Sequence, residues 1–233
     1  MKGYLLVLLA IYFPEFGFCQ KADSTDAYKS HRFMRAITAP TVFVAAGVIV
    51  KNHNESIQRY FNQKIDERGP KGPSNISDYT QFAPMGLVFL MSAMHKPGEH
   101  RFVQQLALAA EAEALMIAMV RPLKYFTDET RPDGGSHSFP SGHTAQAFMA
   151  ATFLHKEFGK KSIWYSIAGY TMATGVGTCR MASNRHWASD VLVGAGVGIL
   201  STNMVYLVHK HRKKGNRMNL AAAPTGFYMS MKL

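Results

Sequence analysis

His186 and Asp190 stand four residues apart at the start of an apolar stretch, so on a helix they share one face. A carboxylate at that spacing can keep one imidazole nitrogen protonated and leave the other free to attack an electrophile. Arg180 lies six residues before His186, and Lys124 seven residues before Arg131. Arginine offers a planar fork that matches phosphate oxygens, and lysine a compact positive charge. Between these pairs runs Pro140-Ser141-Gly142-His143, at the mouth of another apolar stretch. Ser141 is suited to cap a helix there, and Gly142 lets a ligand approach the backbone. The free N–H groups of that first turn can then hold an anion. His143 can protonate a leaving oxygen and later deprotonate water. A nucleophile, its orienting acid, a proton donor and a cationic cradle are the parts that phosphoryl transfer requires.

Each part has a plainer reading alone. Arg-Pro, or Ser-Gly-His at a helix start, makes a capped turn. His186 with Asp190 could be a structural pair, or two metal ligands at helical spacing. Further ligands would have to come from positions that the phosphate cradle already explains, so no metal and no cofactor is expected.

Lys124-x6-Arg131-Pro132, Pro140-Ser141-Gly142-His143 and Arg180-x5-His186-x3-Asp190 resemble the three signature motifs of the type 2 phosphatidic acid phosphatase (PAP2) superfamily. Lipid phosphatases, bacterial acid phosphatases and vanadium haloperoxidases share that signature. The resemblance implies that Lys124, Arg131 and Arg180, helped by Ser141 and Gly142, bind phosphate. It implies His143 as the acid, His186 as a nucleophile that becomes a phosphohistidine, and Asp190 as its partner. The third motif usually opens Ser-Arg, whereas Cys179 precedes Arg180 here. A thiol donates a weaker hydrogen bond than a hydroxyl, so a modest effect on phosphate placement is expected.

The short link between Pro132 and Pro140 resembles the membrane lipid phosphatases more than the soluble acid phosphatases. Residues 184–190 resemble exported members of Gram-negative bacteria, some of which act on lipid A or undecaprenyl carriers. The resemblance therefore implies metal-independent hydrolysis of a phosphomonoester or diphosphate on a lipid of the lipid A, undecaprenyl diphosphate or phosphatidic acid type. A broad acid phosphatase acting on soluble esters, a vanadate-loaded haloperoxidase and a non-catalytic binder of phosphorylated headgroups are the other readings. A binder, however, has no use for His186 and Asp190 opposite His143.

The elements that must position these residues read as helices. Apolar stretches cover residues 33–50, 80–94, 102–126, 143–157, 162–180 and 188–209, with an amphipathic helix near residues 56–65. Gly69, Pro70, Gly72 and Pro73 end that helix. The pattern predicts an all-α bundle of about six helices with a PAP2/haloperoxidase-like core, associated with a membrane. Residues 162–180 and 188–209 are the best spans by length and lack of charge. Gly194-x-Gly196-x-Gly198 follows no strand, which favours close helix packing over a nucleotide loop. Residues 225–233 alternate weakly, as a short strand or a mobile tail would.

At 233 residues, a single domain is expected. The division predicted is a signal peptide or anchor over 1–19, the helical phosphatase-like domain over 20–217 and a C-terminal tail over 218–233. Lys2, the apolar run 5–12 and small Gly17 and Cys19 form the signal pattern. The net charge of +11 suits a phosphorylated substrate or an anionic lipid surface. Nucleic acid is not expected, because zinc-finger spacing, RNP-like aromatics and a long basic helix are all missing from the sequence. With only two cysteines, no disulfide is expected to support the fold. Residues 95–101, 155–161 and 209–217 are basic, and antiparallel helices would gather them at one end. In an inner membrane that end faces the cytoplasm, and the chemistry faces the periplasm. His95, His100, His155, His209 and His211 read as solvated or surface residues, and Trp164 and Trp187 as packing or interfacial anchors.

Overall fold

From Thr144 to Leu154 every residue is buried, so the helix that carries them has packing partners on all sides. The structure, a computed structural model, describes residues 24–66, 76–96, 98–215, 218–223 and 226–231. The helices are α1 (Ser24–Val50), α2 (Asn54–Asp66), α3 (Ile76–Thr80), α4 (Ala83–Ala93), α5 (Phe102–Thr127), α6 (Gly142–Phe158), α7 (Ile163–Ala182) and α8 (Ala188–Gly215). A short 3-10 turn, Lys51–His53, joins α1 to α2. All six apolar stretches predicted from sequence are helices, and the amphipathic stretch is α2. The all-α bundle is thus the observed architecture. The signal pattern and the glycine–proline run after α2 fall outside the described residues.

The chain divides into two compact units, residues 1–35 and 36–233. The first is described only as the opening of α1. In the second, α6 is the central helix and packs mainly on α7 and α8, with α5 lying against α8 and α4 against α6. The core follows from this. Val88, Leu108, Ala112, Met149, Phe153, Leu154 and Phe158 form one cluster, and Ala147, Ala151, Ala173, Val176 and Ala195 another. Small residues let α6 approach both neighbours closely. A Cβ on Gly194 would lie 2.6 Å from the Ser141 carbonyl oxygen, and one on Gly196 2.9 Å from that of Pro40. A Cβ on Gly198 would collide with the Ala145 carbonyl. The three alternating glycines are therefore close-packing positions, as the sequence suggested.

Among the described residues, two stretches are long and apolar enough to cross a membrane, residues 31–64 and 188–209. The second was expected. Residues 163–182 fall short because Gly, Ser and Thr recur among their apolar residues. After α8 comes an antiparallel hairpin, β1 (Met218–Ala223) with β2 (Gly226–Met231), in which Met218 pairs with Met231 and Ala223 with Gly226. The alternation at the end of the sequence is thus β2, and its partner strand had no sequence signal.

Two of the three basic loops also group as expected. Glu99 N–H donates to the Glu157 carbonyl at 3.2 Å, and Lys160 pairs with Glu99 at 2.7 Å, so residues 95–101 and 155–161 adjoin. Residues 128–141 and 183–187 meet at the other end of the same helices, where Trp187 Nε1 donates to the Thr130 carbonyl at 2.7 Å.

Candidate active site

α8 begins just after His186, and Asp190 in its first turn accepts the Trp187 backbone N–H at 3.0 Å. The carboxylate oxygen that takes this bond also lies 3.4 Å from His186 Nδ1 and accepts a short hydrogen bond from Ser138 Oγ. The second oxygen accepts from Ser189 Oγ at 3.3 Å. Asp190 is fully buried and held from several directions, while His186 is only 2% exposed. With Nδ1 turned to Asp190, Nε2 is the nitrogen left to act. Burial, reinforced by the charges of Lys124 and Arg180, holds the His186 pKa at about 4 against the opposing pull of Asp190. The ring is therefore neutral at neutral pH, with a lone pair available.

Lys124 closes α5, and its Nζ donates to the carbonyls of His137 at 2.8 Å and Ser138 at 3.3 Å. It thereby ties the loop after α5 to the helix. Burial, with Arg131 beside it, lowers its pKa to about 8. Arg131 stands on that loop, where its backbone N–H donates to the Gly135 carbonyl at 2.8 Å. Its Nε is buried with no hydrogen-bond partner among the described residues, and the Nε of Arg180 is in the same state. Arg180, at the end of α7, uses Nη1 instead, reaching Ser77 Oγ at 3.3 Å and Asp78 Oδ1 at 3.4 Å. Two buried guanidinium donors left open in this way are costly unless something anionic meets them.

Ser141 caps α6, and both the backbone N–H and the hydroxyl of Thr144 donate to its Oγ, at 3.4 and 2.9 Å. Its own N–H donates to the Asp190 carbonyl at 3.0 Å, which fixes the start of α6 to the start of α8. A Cβ on Gly142 would meet only Lys124 Cε and Val120 Cγ1, both at 3.9 Å. Packing does not demand a glycine there, whereas an anion approaching the N–H groups would. His143 follows on α6, with Nε2 at 2.9 Å from Asp78 Oδ1. Burial and then the charge of Arg180 lower its pKa, while Asp78 opposes them.

Lys124, Arg131, Ser141, Gly142, His143, Arg180, His186 and Asp190 are thus all gathered at one end of the helices. The charges of Lys124 and Arg180 act on both histidines, so both rings face one cationic cluster. Cys179 stands apart, in an apolar groove of about 920 Å³ on the outer side of α7, with Ile167, Tyr170 and Thr178. Several contributors escaped sequence reasoning. Ser138 is an ordinary loop serine in sequence, and its hydroxyl on Asp190 is a purely tertiary contact. Asn54 on α2 donates to Ser189 Oγ at 2.7 Å and accepts its N–H at 3.2 Å, and so supports Asp190 from behind. Gln58 holds the Met181 carbonyl at 3.0 Å and Asn184 Oδ1 at 2.7 Å. Asp78 lay in a polar stretch with no periodicity to mark it.

Residues 105–214 match the PAP2 superfamily, and the chain carries a domain of that superfamily. It is also similar to the lipid A 1-phosphatase of Porphyromonas gingivalis, with 40% identity over 174 residues, covering 71% of this chain and 37% of that protein. The chain thus spans little more than a third of the length of that relative. Two solved structures share the fold. LpxE of Aquifex aeolicus aligns with a TM-score of 0.50 at 23% identity, over 66% of this chain and 94% of the other. A transmembrane PAP2-type phosphatidylglycerolphosphate phosphatase from Bacillus subtilis aligns with a TM-score of 0.55 at 18% identity, over 76% and 97%.

Proposed function

We propose that this protein is a membrane-associated lipid phosphatase that works through a phosphohistidine on His186. The observation that carries this reading is the pair of buried guanidinium donors, Arg131 Nε and Arg180 Nε, unpartnered among the described residues, in the charge cluster beside a buried neutral histidine. In this mechanism those donors, Lys124 and the backbone N–H of Gly142 hold the phosphoryl oxygens, while the Ser141 N–H stays on the Asp190 carbonyl. His186 Nε2 attacks phosphorus in line with the ester oxygen, and Asp190 stabilises the charge that builds on the ring. As the phosphorus–oxygen bond breaks, His143 gives its proton to the departing oxygen. Water then attacks the phosphohistidine, His143 takes a proton from it, and phosphate leaves with His186 restored.

The bound phosphate itself corrects the protonation of His143. Without it, burial and Arg180 disfavour the charged ring; a dianion among the cations reverses that balance. A lipid substrate is supported by the similarity to a lipid A 1-phosphatase and by the two apolar stretches. The basic loops at the far end suit the cytoplasmic face, which would turn the site toward the periplasm of an inner membrane.

The test is phosphate release from lipid A, undecaprenyl diphosphate and phosphatidic acid in detergent, beside a soluble aryl phosphate, without added metal. Radiolabel from the substrate should be trapped on the protein and vanish in His186→Ala. Activity that survives His186→Ala would overturn the mechanism. Equal preference for the aryl ester would replace the lipid substrate with a soluble one. Reporter fusions after Arg217 test the orientation.

A further inference from the structure

Asp78 belongs to none of the three motifs, yet its Oδ1 touches two of their residues. It lies 2.9 Å from His143 Nε2 and 3.4 Å from Arg180 Nη1. It rides on α3, whose Ser77 also accepts from Arg180 Nη1 at 3.3 Å. We propose that Asp78 is a positioning residue for the reaction, orienting His143 and Arg180 for proton transfer as Asp190 orients His186 for attack. The inference rests on the phosphohistidine reading above and adds to it a second histidine–carboxylate pair.

The atoms engaged favour support over competition with substrate. Asp78 takes Nη1 of Arg180 and leaves Nε, buried and unpartnered among the described residues, to the phosphate. On His143 it takes Nε2, so the proton that moves is the one on Nδ1. In the forward step the His186 nitrogen–phosphorus bond forms and the phosphorus–oxygen bond breaks. The electron pair on the leaving oxygen receives the Nδ1 proton, and neutral His143 keeps its Nε2 proton on Asp78. In the second step Nδ1 takes a proton from water as the new phosphorus–oxygen bond forms and the nitrogen–phosphorus bond breaks. The groups facing His143 are Asp78 from α3, Arg180 from α7 and Lys124 from α5. Of these only Asp78 is anionic, so it alone favours the charged ring before substrate arrives.

The experiment compares wild type, Asp78→Asn and Asp78→Glu across pH on lipid A and phosphatidic acid in detergent and on 4-nitrophenyl phosphate. Nitrophenolate leaves without a proton; a sugar or glycerol oxygen does not. Asp78→Asn should lower kcat on the lipid by about 10- to 100-fold, part of the ~10²–10⁴ that a proton donor supplies. The loss on nitrophenyl phosphate should be smaller, under about three-fold. The basic limb of the lipid pH profile should move to lower pH, and Asp78→Glu should restore most of it. Equal losses on the two kinds of ester with an unshifted profile would overturn the inference. So would a gain in activity with tighter vanadate binding, the mark of a competing carboxylate. Failure of Asp78→Asn to fold would assign this half-exposed residue to stability and overturn it too. A wild type inert toward every substrate removes the phosphatase reading and this inference together; an active wild type with an unchanged Asp78→Asn removes only the inference.

Discussion

Two carboxyl groups, Asp190 and Glu157, are fully buried, and each stands against a histidine. Glu157, near the end of α6, faces His100 Nδ1 at 2.7 Å, accepts the His100 backbone N–H at 3.1 Å and Gln105 Nε2 at 3.0 Å, and takes the hydroxyl of Tyr206. Gln105 Oε1 in turn accepts from Ser92 Oγ at 2.7 Å. Both carboxylate oxygens of that knot have protein partners. Around Asp190 the carboxylate is just as well satisfied, but the cations nearby are not: among the described residues Arg131 Nε and Arg180 Nε stay open. A buried histidine–carboxylate pair is therefore no sign of chemistry by itself. Cationic donors left unsatisfied beside it point to an anion, because burying a charged donor without a partner has a cost that an anion or water must offset. His143 and Glu157 are fourteen residues apart on α6, or about 21 Å at 1.5 Å per residue. One helix thus carries an end with open donors and a tied end.

Breaking the two pairs in parallel tests this contrast. His186→Ala should lower phosphate release by on the order of 10⁴-fold or more, as loss of a nucleophile does. His100→Ala should leave activity within about two-fold and lower Tm by several degrees, read by a phosphate assay and a thermal melt. Asp190→Asn should cost on the order of 10³-fold in kcat, since the amide no longer fixes Nδ1–H and Nε2 is not reliably free. Glu157→Gln should cost little activity but about 2–3 kcal/mol in stability, because its NH2 meets donors where an acceptor stood. Denaturant titration of both variants would show it.

The pH dependence sharpens the same difference. kcat/KM should fall on the acid side only as pH approaches 4, where His186 takes up a proton, and on the basic side below the ordinary histidine range, where His143 loses its own. Saturating substrate should move the basic limb of kcat upward. His186 also links stability to pH. Its folded pKa of about 4 lies below the unfolded value near 6.5, so between those values the unfolded chain binds more protons. Its contribution to stability is full above pH 6.5 and declines as pH falls toward 4, by about 3 kcal/mol in all. His186→Ala should remove that slope. The smallest effect expected is on Cys179→Ser, which should change kcat by less than about three-fold, because Cys179 lies on the outer groove of α7.

The helices were legible because apolar residues recur at helical spacing, and six stretches became six helices, though α1 begins nine residues earlier and α8 ends six residues later than expected. The candidate reacting residues were legible because their chemistry is unusual in combination. The supports were not. Ser138, Asn54, Gln58 and Asp78 are common polar residues in polar stretches, and each matters only through a neighbour tens of positions away. His100 was expected at the surface; nothing in the sequence around it signals that Glu157, fifty-seven residues on, would enclose it. Both span candidates after α6 read as equally apolar, but the Gly, Ser and Thr of α7 separate it from α8.

The missing side chain at Gly194 acts as a spacer of zero thickness. Asp190 and Gly194 lie on one face of α8, and both meet Ser141, one through its N–H and the other against its carbonyl oxygen. The gap between the starts of α6 and α8, which carry Gly142 and Asp190, is thus set by backbone laid on backbone, with no rotamer able to adjust it. A single methyl group, as in Gly194→Ala, would act as a shim that widens the gap. A series from glycine to alanine to serine should detune the reaction in steps while every reacting group stays in place.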